Sequence, residues 1–256
     1  MQPTTYPHVN RLLDLLLSQM QQILHEKVVG LYIFGSLVSG DYDDGVSDID
    51  MLAAIASDLD QSEFIALEKM HKTIVANDPQ WDDRLEIAYL SLNALKTFKT
   101  QRSNIGIISP GEPFHIKDAG SDWLANWYFV RENGITIYGP PPSTIIDPIT
   151  KAEFVQAVKN YVLAWKDYIY SAEHRGFQAY AILTMCRGYY TCTHGEQVSK
   201  REAALWAQKV LPEWASLIEN ALEWRRVSRS NIPVDHQATL PETRRFVLFM
   251  IDLVAQ

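Results

Sequence analysis

This sequence predicts an α+β fold, in which a small mixed α/β domain leads and an all-helical domain follows. Three observations carry that reading. Between residues 28 and 90, short β-branched and aromatic runs are interleaved with a helical segment. The run Gly139-Pro140-Pro141-Pro142 is a strong breaker. Beyond it nearly every segment has helical spacing. The division therefore falls near residue 145, giving domains 1–145 and 146–256. With 256 residues, 47% of them hydrophobic, the chain has enough material for two modest cores.

Residues 9–24 place Val9, Leu12, Leu13, Leu16, Met20, Ile23 and Leu24 on one helical stripe. Residues 28–34 are β-branched and aromatic and read as a buried strand, which ends in Gly35-Ser36. A polar loop rich in Gly and Asp covers 39–47, and a second strand covers 48–55. Residues 60–75 read as a helix with Ser62 as its N-cap. A third strand spans 85–90. Residues 98–121 hold turn formers and little periodicity, so they receive no assignment. Helices then follow over 151–171, 178–191, 200–210, 213–225 and 241–254. No internal repeat or low-complexity segment is present.

The formal net charge is −8. Nucleic-acid backbones are held by clustered Lys and Arg, so a nucleic-acid partner is not expected. A neutral or cationic small molecule suits the charge better. No apolar run reaches the roughly 20 residues that a bilayer span needs. The N-terminal residues are polar and include Pro3 and Pro7, so neither a signal peptide nor a membrane partner is expected. Cys186 and Cys192 fall on one predicted helix. Their spacing separates the backbones by roughly 9 Å, and a disulfide needs less than about 7 Å. Free thiols and a cytoplasmic location follow as expectations. Two cysteines without a neighbouring histidine pair also make a poor zinc set.

The chemistry concentrates where three features coincide. One strand runs into Gly35-Ser36, the next begins Asp48-Ile49-Asp50, and the third carries Glu86. Gly35 lets the backbone approach a phosphate closely. Backbone N–H groups and the Ser36 hydroxyl can then hold phosphate oxygens. Asp48 and Asp50 are two apart on a strand and share a face. Two converging carboxylates suit Mg²⁺, which takes oxygen ligands and leaves positions for phosphate oxygens. Glu86 on a neighbouring strand would serve either as a third ligand or as a base. Phosphoryl-type transfer needs such a set, because positioning and charge neutralisation supply most of its catalysis.

Phe34-Gly35-Ser36 followed by Ser47-Asp48-Ile49-Asp50 resembles the signature of the DNA-polymerase-beta-like nucleotidyltransferase superfamily. The likeness extends into the helical half. Gly139-Pro140, Asp147-Pro148, the helix through Trp165, Leu183-Thr184 with Arg187, the turn 195–200 and the segment 206–212 resemble aminoglycoside adenylyltransferases. Those relatives modify streptomycin and spectinomycin at the 3'' or 9 hydroxyl. The resemblance is weakest over 97–134.

It implies that ATP is the co-substrate, that Ser36 and Ser47 touch its triphosphate, and that Asp48 and Asp50 hold Mg²⁺. Glu86 falls where the family places its catalytic base. Arg187 and Lys200 fall where the helical domain reaches the ATP phosphates. Trp165 matches a tryptophan that lies beneath streptomycin, and Trp123 and Trp127 lie near another acceptor-side tryptophan. Two polar family positions are Phe177 and Tyr180 here, and Asp167 or Glu173 could substitute as the acid for a cationic acceptor. A monomer is expected. His115, His174 and His194 are isolated and read as structural or surface residues. Arg225, Arg226 and Arg229, like Arg244 and Arg245, read as solvated helix residues.

Rival readings are the same transfer to a non-antibiotic metabolite, to a protein, or to an RNA end, the last of which the acidic charge disfavours. A non-catalytic nucleotide-binding or antitoxin-type module is the third rival. A missing acid would favour it, yet Asp48, Asp50 and Glu86 are all present.

Overall fold

The computed structural model describes residues 2–171, 173–227 and 235–256. They form two compact units, Met1–Ile149 and Thr150–Gln256. The fold is the expected α+β one, a mixed-sheet unit and a helical unit.

The first unit contains α1 (Pro7–Leu24), β1 (Val28–Ile33), α2 (Ser36–Ser39), β2 (Ile49–Ile55), α3 (Gln61–Asn77), β3 (Leu85–Ser91), α4 (Leu92–Thr97), β4 (Ser103–Ser109), β5 (Glu112–Ala119), α5 (Leu124–Asn133) and β6 (Ile135–Tyr138). The six strands make one sheet in the order β5-β4-β3-β2-β1-β6. Strands β2 and β3 pair in parallel, and the other neighbours pair antiparallel. A parallel pair needs a crossover, which α3 provides.

Alternation along the strands sorts the side chains. Leu31, Ile33, Ile49, Met51, Ile87 and Tyr89 share a buried cluster with the stripe of α1 and with Leu67, Met70 and Ile74 of α3. Fully burying each such side chain stabilises by about 1.5–3 kcal/mol. Asp50 and Glu86 have the opposite parity, so they project from the other face. They are directly paired in the β2–β3 register, each the second residue of its strand. Farther along that face Leu52, Ala54, Ala88 and Leu90 are buried again, and α4 lies against β2 and β3. The acids therefore occupy the start of the parallel pair, where the apolar cover ends.

Three local findings differ from the sequence reading. The N-cap of α3 is Asp60, not Ser62. The Asp60 carboxylate accepts from the N–H groups of both Ser62 and Glu63, and Glu63 returns the bond to the Asp60 N–H at 2.7 Å. That reciprocal pairing satisfies more orphan donors than one hydroxyl could. The unassigned stretch contains the hairpin β4–β5, with Ser109 paired to Glu112 across Pro110-Gly111. Gly111 has a φ of 80°, and Pro-Gly with positive φ at the glycine is a type II turn signature. Beyond it, α5 and β6 follow, and β6 completes the sheet beside β1. There Gly139, at φ 86°, lies so close to the Val29 carbonyl that a Cβ would overlap it.

His71 and Tyr89 are joined inside this unit, His71 Nε2 to Tyr89 Oη at 2.9 Å. Burial pushes the His71 pKa down to about 3, so the imidazole is neutral and structural.

The second unit comprises α6 (Lys151–Tyr168), α7 (Arg175–His194), α8 (Lys200–Val210), α9 (Ala215–Arg226) and α10 (Leu240–Ala255). Helix α7 is the central one and packs against the other four. Its buried residues occur on every side, among them Ala179, Ile182, Leu183, Met185 and Cys186, as a helix enclosed by others requires. Gln178 is fully buried but satisfied. Its amide donates to the carbonyls of Glu173 and His236 and accepts from Thr239 and Thr243. Thr150 and Glu153 form a capping box at the start of α6. Both cysteines are free thiols on α7. Among the described residues, no helix is long and apolar enough to cross a membrane.

Candidate active site

Asp48, Asp50 and Glu86 each offer a carboxylate oxygen, and these atoms lie within 4.8 Å of one another. All three residues are half-buried. Asp48 immediately precedes β2, Asp50 lies two residues on, and the parallel register brings Glu86 alongside. The Phe34 N–H donates to the Asp50 carbonyl at 3.1 Å, which ties the end of β1 to the acids. Three hard oxygen donors converging on one point match Mg²⁺ in chemistry.

Gly35 completes the cradle. Its φ is 67° and its ψ is −141°, a region that side chains rarely adopt. A Cβ there would overlap the Asp50 carboxylate and lie 3.0 Å from the Asp50 Cβ. Ser36 follows, and its hydroxyl oxygen is buried without a hydrogen-bond partner in the protein. A buried hydroxyl left without a partner costs free energy, and a phosphate oxygen would be a fitting acceptor for it. Ser47 differs in that its hydroxyl accepts the Asp43 N–H at 3.0 Å, while its own N–H reaches the Asp43 carbonyl at 2.8 Å. Its side chain thus closes the loop before Asp48.

Arg84 belongs to the frame of this site although no sequence motif marks it. This arginine is only 4% exposed. It donates to the Ser47 carbonyl at 2.9 Å, the Tyr42 hydroxyl at 2.9 Å and the Gln80 carbonyl at 3.2 Å. Its guanidinium also sits 5.1 Å from the centre of the Trp81 ring. The available signal was its position, two residues before Glu86 at the mouth of a strand.

The remaining expected site residues belong to the second unit, apart from Trp123 and Trp127. Arg187 is half-buried on α7. Lys200 opens α8 and holds its ammonium 4.3 Å from the Tyr180 ring centre, a cation–π contact. Trp165 is 3% exposed and is covered by Phe177 and Tyr180, with ring centres at 5.7 and 5.8 Å. The rings around Trp165 that meet solvent are Tyr161, Tyr168, Phe177 and Tyr180. Asp167 is exposed and, two residues along α6 from Trp165, does not share its face. Glu173 is exposed in the turn before α7. Trp123 and Trp127 stack at 5.3 Å, with Trp127 buried in the core of the first unit.

The isolated histidines have local tasks. His174 caps α7, accepting the Gly176 N–H at 3.1 Å. His194 stacks on Tyr190, and His115 bonds the Pro113 carbonyl. Arg226 pairs with Glu223 one turn earlier, while Arg229 lies outside the described residues. Arg244 sits over the Tyr170 ring.

Comparison with known proteins matches both domains. Residues 13–97 match the model of the nucleotidyltransferase domain. Residues 144–252 match that of the aminoglycoside adenylyltransferase C-terminal domain. An aminoglycoside (3'') (9) adenylyltransferase of Klebsiella pneumoniae is 23% identical over 75% of this chain and 76% of its own. A spectinomycin 9-adenylyltransferase of Staphylococcus aureus is 27% identical over 76% of each. The crystal structure of a spectinomycin adenyltransferase from Enterococcus faecialis, solved with ATP and spectinomycin, superposes with a TM-score of 0.77 at 15% identity. It covers 96% of this chain and 99% of that one. With both domains matched in order, the chain belongs to the nucleotidyltransferases as an aminoglycoside adenylyltransferase-like enzyme.

Proposed function

We propose that the protein transfers AMP from ATP to a hydroxyl of a small cationic acceptor, an aminoglycoside or aminocyclitol antibiotic, and releases pyrophosphate. The convergence of Asp48, Asp50 and Glu86 within 4.8 Å beside Gly35-Ser36 carries this reading. The acceptor class is supported by the names of the relatives and by the net charge of −8.

In this reading Asp48 and Asp50 hold Mg²⁺. An ion held there would neutralise triphosphate charge and polarise the α-phosphorus. Gly35 admits the phosphates, and the buried Ser36 hydroxyl donates to one of their oxygens. Glu86 takes the proton of the acceptor hydroxyl as its oxygen attacks the α-phosphorus. The bond from that phosphorus to the departing pyrophosphate breaks in the same displacement. Arg187 and Lys200 supply cations to phosphate oxygens, Arg as a planar fork and Lys as a point charge.

Purified protein with Mg²⁺, each nucleotide in turn and a panel of aminoglycosides should release pyrophosphate with ATP and at least one drug. Silence with every drug, alongside turnover of another hydroxyl compound, would replace the antibiotic by a metabolite. Glu86→Gln keeps shape and loses basicity. Its turnover should fall by about 10²–10⁴, the contribution of a general base, with Mg-ATP affinity largely kept. Loss of Mg-ATP binding by calorimetry would make Glu86 a metal ligand instead. Arg187→Ala should weaken ATP binding about tenfold, equivalent to the 1.5 kcal/mol or so of one charge-assisted bond, and spare acceptor binding. Equal losses for both ligands would reject the phosphate assignment.

A further inference from the structure

We propose that Arg84 is the positioning residue of the metal site, a clamp that fixes Asp48 relative to Asp50 and Glu86. The inference rests on the metal-site reading above and adds a residue outside the proposed ligand set.

Arg84 holds both neighbours of Asp48. Its Nε donates to the Ser47 carbonyl at 2.9 Å. Its own carbonyl accepts the Ile49 N–H at 2.8 Å. The two peptide groups flanking the Asp48 Cα are thus bound to one residue. That residue lies two positions before Glu86, and the register pairs Glu86 with Asp50. One side chain and one carbonyl therefore set the spacing of all three acids.

The same guanidinium organises the loop that leads into the site. It donates to the Tyr42 hydroxyl at 2.9 Å, and Tyr42 packs on Tyr6 with ring centres 4.7 Å apart. Trp81, beneath the guanidinium, stacks on His8 at 5.7 Å. His8 in turn reaches Asp44 at 3.0 Å. A polar, Gly- and Asp-rich loop is thereby held at Tyr42, Asp44 and Ser47.

Energetics favour a placement role over a purely stabilising one. Burying a guanidinium costs several kcal/mol, and apolar residues of similar volume usually stabilise as well or better. The planar fork instead fixes direction at several acceptors at once. Groups one step behind the ligands commonly control metal affinity by 10–100-fold.

The test measures Mn²⁺ as a substitute for Mg²⁺, by the EPR signal of the free ion, with and without a non-hydrolysable ATP analogue. Arg84→Met should lose about 10–100-fold in Mn²⁺ affinity, and Arg84→Lys should fall between it and the wild type. Leu67→Ala, a core change on the opposite face of the sheet, controls for lost stability and should leave Mn²⁺ affinity unchanged. Should Arg84→Met fail to fold, Arg84→Lys and Tyr42→Phe carry the test, each with a several-fold loss. Wild-type Mn²⁺ affinity in the folded Arg84 variants, or an equal loss in Leu67→Ala, would overturn the clamp alone. A wild-type protein that binds no Mn²⁺, or binds it unchanged after Asp50→Asn, would overturn the metal-site reading and the clamp with it.

Discussion

Asp50→Asn should lower turnover by about a thousandfold or more while leaving the protein at least as stable as before. The first half follows from metal catalysis. A bound cation contributes several kcal/mol of charge stabilisation in the transition state, and each 1.36 kcal/mol is a factor of about ten in rate. The second half follows from the cluster itself. Three carboxylates within 4.8 Å repel one another, and neutralising one relieves that repulsion. Natural sites commonly trade stability for function in this way. Pyrophosphate release gives the rate, and thermal unfolding gives the stability. A folded Asp50→Asn protein with wild-type turnover would remove the metal from the mechanism. A variant that merely unfolds would show Asp50 to be structural.

Much of the site was legible in the sequence, because local rules govern it. Period-2 geometry put Asp48 and Asp50 on one face, and the parallel register then delivered Glu86 beside Asp50. The helical unit was legible too, since amphipathic spacing and caps such as Thr150 and Ser199 mark its helices. Arg84 was not legible. A buried arginine looks like a surface cation until Ser47, Tyr42 and Trp81 are seen around it, and the Ser47 and Tyr42 contacts come from distant sequence. The β4–β5 hairpin was missed for a nearer reason, as the Pro110-Gly111 signal was present but the flanking strands alternate only weakly. The cap of α3 is Asp60 rather than Ser62 because the reciprocal Glu63 bond adds to it, and a single-residue cap preference does not contain that bond. The burial of Trp165 was not legible either, since it depends on Phe177 and Tyr180 of α7 packing over it.

Gly35→Ala should abolish turnover as completely as Asp50→Asn, yet by moving a group rather than removing one. At φ 67° and ψ −141° a non-glycine residue costs about 1–3 kcal/mol. The added Cβ also overlaps the Asp50 carboxylate. The chain can relieve this by turning the Gly35 backbone or by swinging the carboxylate aside. Turning the backbone shifts Ser36, and swinging the carboxylate withdraws a ligand, so both routes dismantle the site. Unlike Asp50→Asn, the alanine variant should melt at a lower temperature, because backbone strain is added and little repulsion is relieved. The pair should also be strongly non-additive. Once Asp50 is Asn, adding Gly35→Ala should cost little further activity, since the metal set is already dismantled whichever way the strain is relieved. Turnover, Mn²⁺ affinity and melting temperature of the two single variants and the double variant decide the matter. Wild-type Mn²⁺ affinity and turnover in Gly35→Ala would mean that the carboxylate has another productive position, and that the glycine serves the turn alone.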